Sequence, residues 1–377
     1  MLKKNRILFI IVLCILMYIL LQSGTKFVPI EKLDIPSGIA IDIVKDKKGN
    51  KNYLVTLDAY TFNNKDKSND ILIEGAGITI ADTREQRQLE SNHKFIIGLE
   101  KVMLLGEDVA KNGIENALDI LFENPFMHDL AWLVICKDKA VDIMRVKVSD
   151  YPTSSDYIKG MIDNCKEQSF FSDNYKITDA YVRVDAEGRN LVLPYIEIKD
   201  DKIQITGVVL FKKDTMVKKL DLDETKYMNF LRENDVSGIL TLQEGFDKQI
   251  SMSGKVKRKV HCYKNDDNQY VFDLDLEYKG DIVSNSLYED ILKKPDVIHN
   301  FEESMAKYTE EKCEAFIDKM QNEYEIDCLE LGRVAAATYG RGTGVDWNEV
   351  VSKSKINIKV KVIVDKFGRG QYTVKSK

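Results

Sequence analysis

An unbroken apolar run, Ile7 to Leu21, opens the chain, and no charge follows until Lys26. A helix from Ile7 to Thr25 would be about 28 Å long, enough to cross the hydrocarbon of a bilayer. Beyond it the pattern breaks into short periodic segments. Alternation at Ile39, Ile41 and Ile43, then Lys-Asp-Lys-Lys-Gly-Asn, then Tyr53, Val55 and Leu57 predicts a β-hairpin. Thr79 to Gln88 reads as a short helix and Lys101 to Leu105 as a buried strand. Glu107 to Phe122 reads as one helix with Val109, Ile114, Leu118 and Leu121 on one face, stopped by Pro125. Ala131 to Cys136 is another apolar strand, and Ser155 to Gln168 a helix with Ser154 and Asp156 as candidate caps.

Strands over Leu191 to Leu220, broken at 199–202 and at Lys213-Asp214, predict a meander, after which Asp221 and Asp223 open a helix through Leu231. Lys255, Lys257 and Lys259 then lie on one strand and Asp273, Asp275 and Glu277 on the next. A hairpin closing through Asn265-Asp266-Asp267 pairs 255 with 277, 257 with 275 and 259 with 273, giving a salt-bridged face opposite Val256, Val260, Phe272 and Leu276. Phe301 to Tyr324 carries one apolar stripe of a long helix. Helical spacing continues from Asp327 to Tyr339, a loop holds Gly340, Gly342 and Gly344, and Ile356 to Val364 alternates strictly with polar residues as a half-exposed strand. The fold class expected is α+β, with mixed or antiparallel sheets and packed helices behind one transmembrane helix. Residues 1–26 form the basic end and anchor, 27–200 an N-terminal domain, and 201–377 a C-terminal domain divisible again near 235–250.

Charge fixes the direction of the anchor. Lys3, Lys4 and Arg6 precede the apolar run, so the positive-inside rule keeps that end in the cytoplasm and places the rest outside. The whole chain of 377 residues carries 55 basic against 61 acidic side chains, net −6; without those three the count is 52 against 61, net −9. That balance offers no electrostatic case for nucleic acid and suits a hydrated surface above anionic lipid. Cys14 follows Leu13 and precedes Ile15, Leu16 and Met17, a poor setting for lipidation, and Ser23-Gly24 is a weak cleavage site. An uncleaved helix is favoured over a lipidated Cys14.

The search for chemistry leaves little. No G-x-x-x-x-G-K-[ST], G-x-S-x-G or H-E-x-x-H occurs. Gly340 to Gly344 superficially resembles a phosphate cradle but follows a helix and lacks the lysine. His128-Asp129 reads as a turn after Pro125, and Glu107-Asp108 as carboxylates complementing a helix start. Six cysteines form no C-x-x-C pair; Cys136 and Cys313 read as buried thiols, and Trp132 and Trp347 as core or interface residues. No catalytic residue, metal ligand or cofactor is expected.

The order of segments, more than any one of them, resembles the Ger(x)C family of spore germination proteins. Gly38 to Asp42 is similar to its opening G-I-x-x-D strand, and His93-Lys94 and Gly106-Glu107 through Gly113-Ile114 to its H-x-K and I-G-E-x-[LV]-A-x-x-G-[IL] segments. Gly207 to Val217, containing Phe211, resembles the G-x-A-x-F-K-x-D-x-[ML]-V hairpin, and Leu220-Asp221 with Glu224-Thr225 the L-x-x-x-E-[TS] after it. Asp327 to Gly332, Trp347 and the strand ending near Gly368 resemble the family's ending, although Ala335 to Ala337 and Gly340 to Gly344 replace its usual aromatic content. Most members carry a lipidated cysteine followed by polar residues, which Cys14 is not. The resemblance implies the C subunit of a nutrient germinant receptor on the outer face of the spore inner membrane, beside an A subunit and a permease-like B subunit, with no enzymatic activity or cofactor. An extracytoplasmic solute-binding protein and an anchored cell-wall hydrolase are the alternatives from other classes.

Overall fold

In the computed structural model, residues 9–18, 28–61, 69–288, 291 and 294–367 are described. Residues 9–18 form helix α1. Among the described residues no helix is long and apolar enough to cross a membrane. Lys3, Lys4, Arg6, Ser23, Gly24, Gly368 and much of the expected span Ile7–Thr25 lie outside the described residues.

The first sheet is laid down by three apolar runs. Strands β1 (Leu33–Lys45), β5 (Val102–Gly106) and β6 (Trp132–Cys136) are parallel, with Gly38 beside Val102 and Val102 beside Trp132. Such runs are continuous because both faces are covered. Ala40, Val102, Leu104, Val134 and Cys136 belong to one core, whereas Ile39, Ile41, Met103, Leu105, Leu133 and Ile135 belong to the other. The sheet extends on both sides: antiparallel β2 (Lys51–Thr61) and β3 (Asn69–Gly77) lie beyond β1, and beyond β6 come parallel β7 (Val192–Lys199) and then antiparallel β8 (Lys202–Lys212) and β9 (Thr215–Leu220). The two-residue β4 (Lys94–Phe95) pairs with the start of β1. The expected hairpin forms, with Ile39 opposite Leu57, Ile41 opposite Val55 and Ile43 opposite Tyr53. Strands β8 and β9, beyond the boundary expected at 200, hydrogen-bond into this sheet through β7.

Helices α2 (Asp82–Glu90), α3 (Glu107–Asn112), α4 (Glu115–Phe122) and α7 (Ile177–Asp185) serve one core, and α5 (Ala140–Met144), α6 (Ser154–Gln168) and α8 (Leu222–Arg232) the other. The single helix expected over Glu107 to Phe122 is two. Gly113 has φ +104°, which no helix accommodates, and the Ile114 N–H turns away to donate to Asp214 O at 3.0 Å. The cap of α6 is Thr153, whose hydroxyl accepts the Asp156 N–H at 3.1 Å, rather than Ser154 or Asp156.

The second sheet has order β10 (Val236–Gly245), β11 (Lys248–Lys264), β12 (Tyr270–Asn285), β13 (Lys355–Phe367). The lysine–carboxylate hairpin exists, but two residues out of the expected register: Lys255 opposes Lys279, Lys257 opposes Glu277 and Lys259 opposes Asp275. The connection is longer than expected because Asn265 to Asn268 form a closed turn with Asn268 at φ +61°. Parallel β13 then sets Lys359 beside Asp275 and Lys361 beside Glu277, so each acid has a lysine on either side. The other face carries Val256, Phe272, Leu276, Val360 and Val362 into the core with α9 (Pro295–Lys319), whose Phe301, Met305, Cys313 and Phe316 are the expected stripe. A π-helical turn, Met320–Tyr324, ends α9. Helical spacing from Asp327 is interrupted: Glu330 takes the left-handed conformation at φ +55°, and α10 spans only Leu331–Tyr339. Helix α11 (Trp347–Ser352) follows the glycine loop.

A knot of three aromatic rings joins the two sheets. Phe170, Phe230 and Tyr278 have centroids 5.5 to 6.0 Å apart, all fully buried, and the Tyr278 hydroxyl lies 2.6 Å from Met252 O. Such contacts add about 0.5–1.5 kcal/mol each beyond burial.

At the carboxyl end of β1, the buried Asp42 carboxylate accepts the first N–H groups of α5, from Ala140 at 2.7 Å and Val141 at 2.9 Å. Gly106 leaves room for it, since a methyl there would sit 2.2 Å from Asp42 Oδ1. Gly106→Ala is expected to destabilise the fold by about 1–3 kcal/mol. Gly245→Ala, with nothing within 4 Å, should stay within about 0.5 kcal/mol. Urea midpoints of the two variants check the contrast, and equal midpoints would refute it.

Candidate functional site

The residues singled out from the sequence fall into separate places. Cys14 is exposed on α1. His93 holds Asp34 through Nδ1 at 2.8 Å, pinning β4 to β1, while Lys94 is exposed beside it. Glu107, in the first turn of α3, accepts the Tyr195 hydroxyl at 2.5 Å and pairs with Lys111. Gly113 adjoins Asp214, and Phe211 is a core residue. His128 uses Nδ1 against Glu100 O at 2.7 Å. Gly342 donates its N–H to Glu187 at 2.7 Å, so the glycine loop is held by a carboxylate. All six cysteines are free, and Cys136, Cys313 and Cys328 are buried.

Asp327, Gly332 and Trp347 do converge. The buried Asp327 carboxylate accepts the N–H groups of Leu329, Leu331 and Gly332 at 3.2, 3.0 and 2.7 Å, forming the cap that the left-handed Glu330 needs. Gly332 lets the start of α10 approach α11, since a methyl there would meet Trp347 Cβ at 2.5 Å. Trp347 Nε1 donates to Glu187 at 2.9 Å. The turn so built aims Glu330 into a cavity of about 470 Å³ between α7, the end of α8, β11 and the start of α10.

Five arginines line that cavity, Arg183, Arg189, Arg232, Arg258 and Arg333, against three carboxylates, Asp179, Glu233 and Glu330. Glu330 is the hub. Arg183 Nε and Arg232 Nη2 each reach its Oε1 at 2.9 Å, while Arg333 Nε and Arg189 Nε stand 3.3 and 3.8 Å from Oε2. Arg232, buried, also donates to Cys328 O at 2.6 Å and Asn190 O at 3.2 Å and pairs with Glu233 at 3.0 Å. Burial alone would raise the Glu330 carboxyl; the guanidinium groups of Arg232, Arg183 and Arg189 overcome it and hold it down to about 2. Asp327 shows the opposite balance, burial pushing it up to about 6 against its N–H bonds. Arg258 donates to Leu329 O at 2.9 Å, and burial lowers its pKa to about 10. Among the described residues neither histidine nor cysteine lines the cavity, and its chemistry is that of guanidinium groups facing carboxylates.

Sequence reasoning missed this cluster. Its arginines look like ordinary surface charges in the linear chain, and α7, which supplies Arg183, was not predicted; the helical spacing of Ile177, Ala180 and Val184 was the available signal.

Residues 26–198 match the family model described as spore germination protein N-terminal domain, and residues 206–368 match the one described as spore germination B3/GerAC like, C-terminal. Spore germination protein GerQC of Bacillus cereus is 18% identical over 302 residues, covering 79% of this chain and 82% of that protein. The crystal structure of the GerBC protein shares the fold, with a TM-score of 0.53 at 15% identity over 86% of this chain and 97% of that one.

A depressed acid contributes stability that is full above its unfolded pKa and lost as pH falls through the folded value. For Glu330 that window runs from 4.5 down to about 2. Asp327 has the reverse sign: its burial costs stability as pH rises from 3.8 to about 6. Glu330→Gln is expected to lose about 3 kcal/mol at pH 7 and to flatten the acid limb below pH 4.5. Denaturant midpoints against pH test this; a variant curve parallel to that of the unsubstituted chain would sink it.

Proposed function

The chain belongs to the Ger(x)C family of spore germination proteins, and on that premise we propose that it is a membrane-tethered, non-catalytic subunit of a nutrient germinant receptor. The observation carrying this reading is the pair of family models that together span residues 26–198 and 206–368. Its place is the outer face of the spore inner membrane, beside an A subunit and a permease-like B subunit. Residues 7–25 stay in the bilayer as the anchor, with the basic end in the cytoplasm, in preference to lipidation at Cys14. Tethering confines the body to a plane and raises its effective concentration toward membrane partners without a strong interface. The body acts as two units, each built around one sheet and joined through the Glu330 cluster.

The geometry next to the anchor supports a definite orientation. Parallel β1, β5 and β6 begin at one edge of the sheet, and the exposed Val28 and Ile30 lead into β1 there. Leu99 and Leu130, which precede β5 and β6, are more than half exposed, and Phe126, whose backbone packs against Gly98, is 73% exposed. This apolar edge faces the bilayer, where such side chains sit at the boundary of headgroups and acyl chains.

Two experiments test the reading. Deletion of the gene, with paralogues removed, should abolish germination by nutrients and spare germination by a trigger that bypasses nutrient receptors; an unchanged nutrient response would refute the receptor role. For the orientation, the full chain is reconstituted in vesicles containing lipids brominated near the headgroup. Phe126→Trp emission should be quenched, and Ile78→Trp, at the opposite edge of the sheet, should not. Equal quenching of both would overturn the orientation, whereas failure to float with the vesicles would count against the anchor itself.

A further inference from the structure

The charges of the arginine-lined cavity do not cancel. Its five guanidinium groups exceed its three carboxylates by two. The imbalance has a location. Arg183 and Arg232 are satisfied by Glu330, Asp179 and Glu233. Among the described residues Arg258 has no carboxylate within 4.0 Å, and its Nε, shielded from solvent, has no hydrogen-bond acceptor. Arg333 Nε also lacks an aligned acceptor, although it stands 3.3 Å from Glu330. A shielded guanidinium N–H without an acceptor, on a cation with no carboxylate beside it, is costly, and a guanidinium group that keeps its proton cannot escape the cost by neutralising.

Accessibility divides the five. The side chains of Arg183 and Arg232 are 8% and 4% exposed and belong to the joint, whereas those of Arg189 and Arg333 are 25% and 41% exposed and stand at the mouth. A ligand entering there meets two arginines with spare donors before it reaches Arg258. The planar guanidinium fork matches two oxygens of one phosphate or carboxylate, which fixes orientation as well as charge. The remaining volume of the roughly 470 Å³ cavity leaves room for a small organic body.

We propose that this cavity binds a small dianion, its charge carried by a phosphate group or by two carboxylates, with Arg189, Arg258 and Arg333 as the donors and Glu330 holding the site open. The binding goes beyond the receptor reading and stands whether or not the chain serves in a germinant receptor.

The test is a titration of the full chain in detergent with inorganic phosphate and with succinate, ionic strength held constant with sodium chloride, read by calorimetry and by thermal unfolding. One or both anions should bind at a single site and raise Tm, and which one binds tells phosphate from dicarboxylate. The rim double variant Arg189→Gln/Arg333→Gln should fold, by circular dichroism, and bind at least tenfold more weakly. Arg258→Met should lose binding; should it fail to fold, the rim variant carries the test. An equal rise in Tm from sodium chloride alone, no heat with either anion, or undiminished binding by the rim variant would each overturn the proposal.

Discussion

A single buried carboxylate, that of Glu330, stands against guanidinium groups drawn from α7, the loop after it, the end of α8 and α10. Removing one partner of such a pair is far more damaging than never having had it, because the remaining charge is left in a poorly solvated interior. The positions of these elements are therefore coupled. Helix α7 lies against the first sheet, α8 leads from that sheet into the second, and α10 precedes β13, so one acid fixes three parts of the chain at once. The aromatic knot of Phe170, Phe230 and Tyr278 joins the same two sheets by apolar contact and carries no charge.

Several of the positions singled out from the sequence find their physical meaning in the same architecture. Gly106 makes room for Asp42, which caps α5 from across the sheet. Asp327 and Gly332 build the turn that presents Glu330, and Trp347 closes it from α11. These residues hold backbone groups in place and form no constellation of nucleophile, acid and base.

How much was legible depended on how local the cause was. The hairpin over β1 and β2 follows from alternation and a short polar turn, which set Ile39, Ile41, Val55 and Leu57 on one face. Parallel strands β5 and β6 are visible as apolar runs, and the stripe of α9 by its spacing. Errors arose where a single backbone angle decided the outcome. Gly113 split one expected helix into two, the turn at Asn268 moved the lysine hairpin by two residues, and left-handed Glu330 delayed α10 to Leu331. None of these changes the hydrophobic pattern, so the pattern could not report them.

By itself the sequence determined the elements with strong periodicity, the apolar segment at the start with its basic flank, and the family to which the chain belongs. Those properties are written in neighbouring residues, or in the order of short segments along the chain. The tertiary structure alone decided the cavity. Arg183, Arg232, Arg258 and Glu330 are separated by as many as 147 positions between Arg183 and Glu330, and each is an ordinary charged residue in its own neighbourhood. Their meaning comes from burial: once folding removes water from around them, these charges must be compensated by one another, and Arg183 and Arg232 find that compensation in Glu330.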